Sequence, residues 1–399
     1  MKNKRQVLNA RNIFLGSVTT IFCLVILIFI SRNDQQSVSH HNLIDTKISQ
    51  YSDSHITPNA IATDSKFKDI AFETPPPSNW SFFSSQLALV IKAIKSITNP
   101  PSGGSKEYGS WIWTPVMTMT PEYMDSILSQ TKADKVNAIY LSIDTYLDIF
   151  TMDKGAEREK QRKDYSDKLS DFISLANAKG IAVDAEAGWR NWAEGDNIYK
   201  GLAVISFVKN FNATHASKFR GFQYDIEPYL LDSYSKDNKA QVSILGDYVG
   251  LIDKTQYFIG ASALRFSVVV PDFYDKKDKM TPEFSYNGQK GYVLTHLLNI
   301  LDKRPDSSII VMSYRNFADG SDGAIEVSSN ELRTANSGHN TKIIIAQETG
   351  DVAPPYITFH NTSKKYLLSQ IQKINTAFNS YSNFGGIAIH YANAFLALK

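Results

Sequence analysis

From residue 109 onward the chain alternates two hydrophobic patterns. Short runs rich in β-branched and aromatic residues are separated by longer stretches whose apolar residues recur at helical spacing. The runs are Trp111–Val116, Asn137–Asp144, Ile181–Gly188, Phe219–Tyr229, Arg265–Phe273, Ser308–Phe317, Lys342–Gly350 and Gly385–Ala392. Between them, helices are predicted over Pro121–Lys135, with Thr120 as cap and proline in the first turn, over Glu157–Lys179, stopped by Gly180, and over Ser363–Tyr381. Eight strands alternating with helical segments predict an α/β fold, a (β/α)8 TIM barrel, with any active site at the C-terminal ends of the strands.

Side chains alternate faces along a strand, so each run divides into an outward and an inward set. In the second run Ile139, Leu141 and Ile143 face the helices, leaving Tyr140, Ser142 and Asp144 inside. In the third, Ile181 and Val183 face out and Asp184 and Glu186 face in. In the fourth, Phe222, Tyr224 and Ile226 face out and Gln223, Asp225 and Glu227 face in. Met312, Tyr314, Glu348, Ala388 and His390 line the remaining interior. Carboxylates thus gather at one end of the barrel, where burying them for stability alone would be costly.

The N-terminal third reads differently. From Asn12 to Ser31 there is no charged residue over a length that suits a helix crossing a hydrocarbon core. The flank before it is basic, which predicts a single-pass membrane protein with a cytoplasmic N-terminus and an extracytoplasmic body. A cleaved signal peptide is the competing reading, although no small-x-small site follows. The division expected is a cytoplasmic basic tail (1–11), a transmembrane signal anchor (12–31), a stalk (32–107) and a catalytic domain (108–399). The stalk contains the runs TPPPSNW and NPPSGGS and has room for one short helix near Ser85–Ile97. The one cysteine excludes a disulfide scaffold and a cysteine-based zinc module. Residues 1–32 hold five cations and no acid, so 37 of the 42 basic residues face 40 acidic ones in the remainder. A body so near neutrality gives no reason to expect nucleic acid as a partner.

The chemistry concentrates in FRGFQYDIEPY, residues 219–229. Asp225 and Glu227 stand two apart on one strand and point inward ~7 Å apart, close enough for repulsion to raise one pKa into the range of a general acid. A salt-bridged structural pair is the bland alternative. The run resembles the strand-four signature of the family-18 glycoside hydrolases, the chitinases and their relatives. Phe219, Gly221, Phe222, Tyr224, Asp225 and Glu227 match, whereas Arg220 and Gln223 stand where acids are usual. VMSYR (311–315) is similar to that family's strand-six Met-x-Tyr-Asp, with Arg315 in place of the Asp. FGGIAIHYA (384–392) is similar to its last strand, with His390 and Tyr391 in the region of the usual Trp. The resemblance implies Glu227 as the acid/base, Asp225 as its partner, Tyr314 as a donor to the reacting group, and the substrate's own N-acetyl group as nucleophile.

A second mechanism in the same reaction class stays open. Glu348, at the end of IIIAQETGD (343–351), faces Glu227 as a nucleophile would in a retaining glycosidase; its alternative is a structural partner for Arg315 or Lys342. Trp189, Trp192 and Tyr229 at strand ends are expected to offer flat rings to a sugar. Asp144, Asp184, Glu186 and His390 are expected to bind substrate, with His390 as a hydrogen-bonded core residue the alternative. The reading is therefore a glycosidase acting on a polysaccharide or glycan without cofactor. A non-catalytic carbohydrate-binding barrel and a divalent-metal hydrolase remain as alternatives, the latter without a His-x-His or His-x-x-x-His motif to support it.

Overall fold

The computed structural model describes residues 106–276 and 278–399. Ten strands occur among them: β1 (Glu107–Ile112), β2 (Ala138–Ser142), β3 (Ala182–Ala187), β4 (Gly221–Tyr224), β5 (Arg265–Pro271), β6 (Phe284–Tyr286), β7 (Gln289–Gly291), β8 (Ser308–Met312), β9 (Lys342–Glu348) and β10 (Phe384–His390). Eight close into a barrel in the order β1-β10-β9-β8-β5-β4-β3-β2, every pairing parallel; β6 and β7 form an antiparallel hairpin in the connection after β5.

The main helices are α1 (Pro121–Ala133), α2 (Tyr146–Phe150), α3 (Ala156–Ala178), α4 (Ile198–Thr214), α5 (Asn238–Ile259), α6 (Val293–Leu301), α7 (Ala324–Asn336), α8 (Lys364–Phe378) and α9 (Ala392–Ala397). Local chemistry sets their ends. The Thr120 hydroxyl accepts from the Tyr123 N–H, Asp237 from Ala240 and Ser363 from Tyr366, each meeting one of the donors a helix start leaves unpaired. After α3 the chain turns at Gly180, whose φ of +67° suits glycine.

The alternation read from the sequence sorts the core as expected. Ile139, Leu141, Val183, Phe222, Tyr224 and Ile226 lie in the layer between barrel and helices. Trp111, Tyr140, Val269, Ile310, Ile344, Ala346 and Ala388 form a separate cluster inside the barrel. Strand one starts earlier than expected, at Glu107. Residues 107–110 pair with β10 and residues 109–112 with β2, and the chain turns away at Pro115. Glu107 therefore belongs to the barrel rather than to a stalk.

The single-pass localisation is corrected here. Among the described residues no helix is long and apolar enough to cross a membrane. Residues 12–31, on which that expectation and the membrane contact rested, lie outside the described residues, as do the tail and nearly all of the stalk.

Charge is matched at the N-terminal end of the barrel. Arg220 grips Asp184 with Nε to Oδ1 at 2.8 Å and Nη2 to Oδ2 at 2.5 Å, and its Nη1 lies 2.7 Å from Glu107 Oε2. Arg265 Nη1 donates to the same Glu107 oxygen at 2.7 Å, and the Tyr140 hydroxyl donates to Oε1 at 2.6 Å. Gly109 makes room for that phenol, since a Cβ there would sit 2.4 Å from the Tyr140 hydroxyl oxygen. Burial alone would raise the Glu107 pKa, but Arg220 and Arg265 reverse this and hold it far below the carboxylate range.

Removing one partner from such a network leaves the others buried and unmatched, so Arg220→Met is expected to cost ~3–5 kcal/mol in denaturant unfolding. Because the Glu107 pKa is depressed on folding, its contribution is present above its ordinary value of 4.5 and drains away as pH falls below it. A loss under ~1 kcal/mol, as for an exposed pair, would show that the cluster does not hold the barrel together.

Candidate active site

At the opposite, C-terminal end the inward residues are Asp144, Glu186, Asp225, Glu227, Tyr314, Glu348 and His390, with Trp113 and Tyr391 beside them. Regular pairing in β4 ends at Tyr224, so Asp225 and Glu227 stand just beyond the strand, and Pro228 opens a short turn after them. The Asp225 N–H still donates to the Ala187 carbonyl at 3.2 Å. This drawing together of β3 and β4 depends on Gly188, where a Cβ would lie 1.9 Å from the Asp225 carbonyl oxygen. The Gly188 N–H also donates to Asp144 Oδ1 at 3.1 Å, tying the end of β2 to the same corner.

Burial pushes the Asp225 pKa up to about 8, with the Glu227 charge adding to it and His390 pulling back. Burial takes Asp144 to about 7 against the Gly188 hydrogen bond. Glu186 lies well above the carboxylate range through burial, Asp144 and Asp225. Glu227 is raised by burial, with the Tyr229 hydroxyl, His390 and Arg190 acting the other way. Tyr229 donates its hydroxyl hydrogen bond to Glu227 Oε1, and its ring packs edge-on against Phe273 at 5.3 Å.

Glu348 is held differently. Its Oε1 accepts from the Thr349 and Gly350 N–H groups at 2.8 and 2.6 Å, and its Oε2 lies 2.6 Å from His390 Nδ1. It is 4% exposed. On the far side of the imidazole, Trp113 Nε1 donates to His390 Nε2 at 3.1 Å. An indole nitrogen only donates, so Nε2 is bare and the proton is on Nδ1, directed at Glu348. Burial lowers the His390 pKa, while Glu348, then Asp225 and Glu227, more than offset it; the net direction is up. Protonating Nε2 would set two N–H groups against each other, so the Trp113 contact favours the neutral ring.

The structure thus gathers Asp144, Glu186, Asp225, Glu227, Tyr229, Tyr314, Glu348 and His390 at one mouth. Trp189, half-buried, follows β3 directly, with the Arg190 guanidinium 5.1 Å from its ring centroid. Two expected substrate contacts lie elsewhere. Asp184 is in the charge-matched layer beneath, because Arg220 claims both its oxygens. Trp192 is 2% exposed and packs edge-on against the outward-facing Tyr224 at 6.2 Å, as part of the helix–barrel core. Arg315 pairs with Asp322 and Asp272, and Lys342 Nζ bonds the Ser382 carbonyl, so neither is the partner of Glu348. Among the described residues no group of three or more His, Cys, Asp or Glu could hold a metal ion.

Trp113 also belongs to this site, through its hydrogen bond to His390. Its parity with Trp111 on strand one carries the signal, since alternate residues share a face. Gln223, one layer below the mouth, accepts from Trp111 Nε1 at 2.8 Å.

The class that these observations define is a closed, eight-stranded parallel (β/α)8 barrel with an acid-rich mouth. No family model matches the chain. No curated protein matches it either. Similar solved structures include an endo-1,4-beta-mannanase from Rhizomucor miehei, at 10% identity and a TM-score of 0.47, over 73% of this chain and 87% of that one. They also include a GH18 chitinase from Pseudoalteromonas aurantia, at 13% identity and 0.44, over 72% and 94%. A xylanase and alpha-amylase inhibitor protein from Scadoxus multiflorus is similar at 11% identity and 0.42, over 73% and 94%. One fold serves many activities, so the barrel alone does not fix the reaction.

If Glu348 holds the His390 pKa up, Glu348→Gln lets burial dominate. The imidazole pKa is then expected to fall below its ordinary value of 6.5 in an NMR titration. An unchanged pKa would show that Glu348 does not set the charge of the ring.

Proposed function

We propose that this barrel hydrolyses glycosidic bonds in a polysaccharide or glycan, with Glu227 as the acid/base group and Asp225 as its partner. The observation that carries the reading is the position of Glu227. It is a half-buried carboxyl just beyond the end of β4, its pKa raised by burial, and one oxygen takes the Tyr229 hydroxyl. A carboxyl kept protonated at such a mouth can give its proton to a glycosidic oxygen and recover it from water. Asp225 lies two residues away, and repulsion between the two carboxylates disfavours ionising both, so one of the pair keeps a proton.

The surroundings of Glu348 support substrate assistance over direct attack. Three of its roughly four acceptor positions are occupied and it is buried, whereas a nucleophile needs a lone pair open to the anomeric carbon. In this reading Glu348 orients His390, and the oxygen that attacks belongs to an N-acetyl group on the sugar. The Tyr314 hydroxyl, whose pKa is raised by burial and then by Glu348, Asp225 and Glu227, stays protonated and donates to that group.

The test compares an N-acetylated polysaccharide with the same polymer stripped of its acetyl groups. Reducing-end release is expected only from the acetylated form. Glu227→Gln should lower kcat by ~10²–10⁴-fold. The rate should fall as pH rises through the raised pKa of Glu227, since the acid must be protonated. Equal cleavage of both polymers, abolished by Glu348→Gln, would hand the nucleophile's role to Glu348. Binding without release, unchanged in Glu227→Gln, would make the barrel a carbohydrate-binding protein.

A further inference from the structure

Glu186 has no assigned task in the reaction above, yet its setting is a costly one for a carboxylate. It is 1% exposed, and neither carboxylate oxygen has a hydrogen-bond partner among the described residues. The Ser142 hydroxyl lies near enough to ease its charge but makes no hydrogen bond of normal geometry. Asp225 Oδ1 is likewise buried and without a partner. The two acids occupy adjacent strand ends: Glu186 pairs in register with Gln223, and Asp225 follows two residues later on the same face of β4. Leaving both ionised would carry the full desolvation penalty of two unmatched charges.

Three things could neutralise this charge. A cation would need a ligand group that the described residues do not form. Arginine is already spent one layer below, on Asp184 and Glu107. What remains is a proton, and one proton links the two acids, because a neutral carboxyl donates where a carboxylate accepts; it pairs one Glu186 oxygen with Asp225 Oδ1.

We propose that Glu186 is a positioning residue that holds a proton and donates it as a hydrogen bond to Asp225 Oδ1, keeping Asp225 ionised beside Glu227. The consequence for chemistry rests on the reading of Glu227 as the acid. Burial and the Glu227 charge push Asp225 up to about 8 on their own; the Glu186 hydrogen bond opposes this, and an Asp225 so kept ionised disfavours ionising Glu227, so Glu186 sustains the acid from the neighbouring strand. No covalent bond changes in this role, and the proton stays on Glu186 throughout. Asp144 and Asp225 face Glu186. Asp225 in turn faces Glu227, His390, Tyr229, Tyr248 and Tyr314; Glu227 faces Arg190 and Tyr274; Asp148 and Tyr165 face Asp144. Of these, Arg190 bears positive charge toward Glu227, and the Trp113 contact favours the neutral form of His390.

Two measurements test this, the first independent of any activity. Infrared spectra of the full chain at neutral pH, in H2O and D2O, should show protonated carboxyl absorption. One component should vanish in Glu186→Gln and persist in Glu331→Gln, the control for another buried, partnerless carboxyl. Asp225→Asn should shift that component, because its acceptor changes from carboxylate to amide. A spectrum unchanged by Glu186→Gln, or a Glu186 component indifferent to Asp225→Asn, would overturn the proposal.

The second measurement is the pH profile of kcat/KM on whichever glycan is cleaved. In Glu186→Ala, Asp225 takes up the proton itself and repels Glu227 no longer, so the alkaline limb moves down by about one pH unit and kcat falls ~10-fold with KM little changed. Glu186→Gln, which keeps a donor in place, should restore the limb. A limb that stays put in Glu186→Ala while stability falls would reduce Glu186 to a packing role. If no glycan is cleaved, the infrared result still decides where the proton lies, and only the reading of Glu227 fails.

Discussion

Arg220 lies against two carboxylates at once, with Asp184 in a two-pronged grip and Glu107 on its third nitrogen. Inward-facing acids are the feature of this barrel most in need of explanation, and this guanidinium, helped by Arg265 and the Tyr140 hydroxyl, accounts for the lower ones. Strand β3 then places Asp184 and Glu186 two residues apart on one face, the first fully matched and the second unmatched. The difference lies in which neighbours can reach. The arginines reside at the starts of β4 and β5, and the apolar and amide layer of Trp111, Tyr140 and Gln223 separates them from the mouth. Ion pairs therefore match the acids below that layer, whereas above it Glu186 is left without one.

Above it, rigidity comes from backbone contacts more than from ion pairs. Glu348 is fixed by two N–H groups of the turn that follows it, and His390 is fixed between Glu348 and Trp113. Asp144 is fixed by Gly188. A group placed by the main chain at the end of a barrel strand keeps its position at little entropic cost, which is how a mouth of this kind holds carboxyls at separations that chemistry needs.

Much of this was legible in the sequence because strand alternation has a period of two. Once Ile139, Phe222 and Val183 are placed against the helices, Asp225, Glu227 and Glu186 must point inward. The eight runs appear as eight barrel strands in the same order. What alternation cannot supply is height along the barrel axis. Asp184 and Glu186 have the same parity, and only the register of β3 against β4 shows that one sits at Arg220 and the other at the mouth. Trp192 was misjudged for a related reason: a tryptophan in a polar loop looks like a ligand platform, but the short turns Arg190–Ala193 and Gly195–Asn197 carry it under the helices. The localisation expected from residues 12–31 finds no support in any described helix.

The buried Trp192 has one more consequence. It is wedged against Tyr224, on the outer face of the strand that leads to Glu227, and three residues earlier the half-buried Trp189 packs against the same helix–barrel core. One short turn is thus pinned by core packing at both ends. Local opening of that turn would have to extract an indole from the helix–barrel core. Its amide hydrogens should consequently exchange with solvent on the timescale of whole-barrel opening rather than that of a surface loop. This rim of the mouth then behaves as part of the scaffold, and adaptation to a ligand falls to other connections.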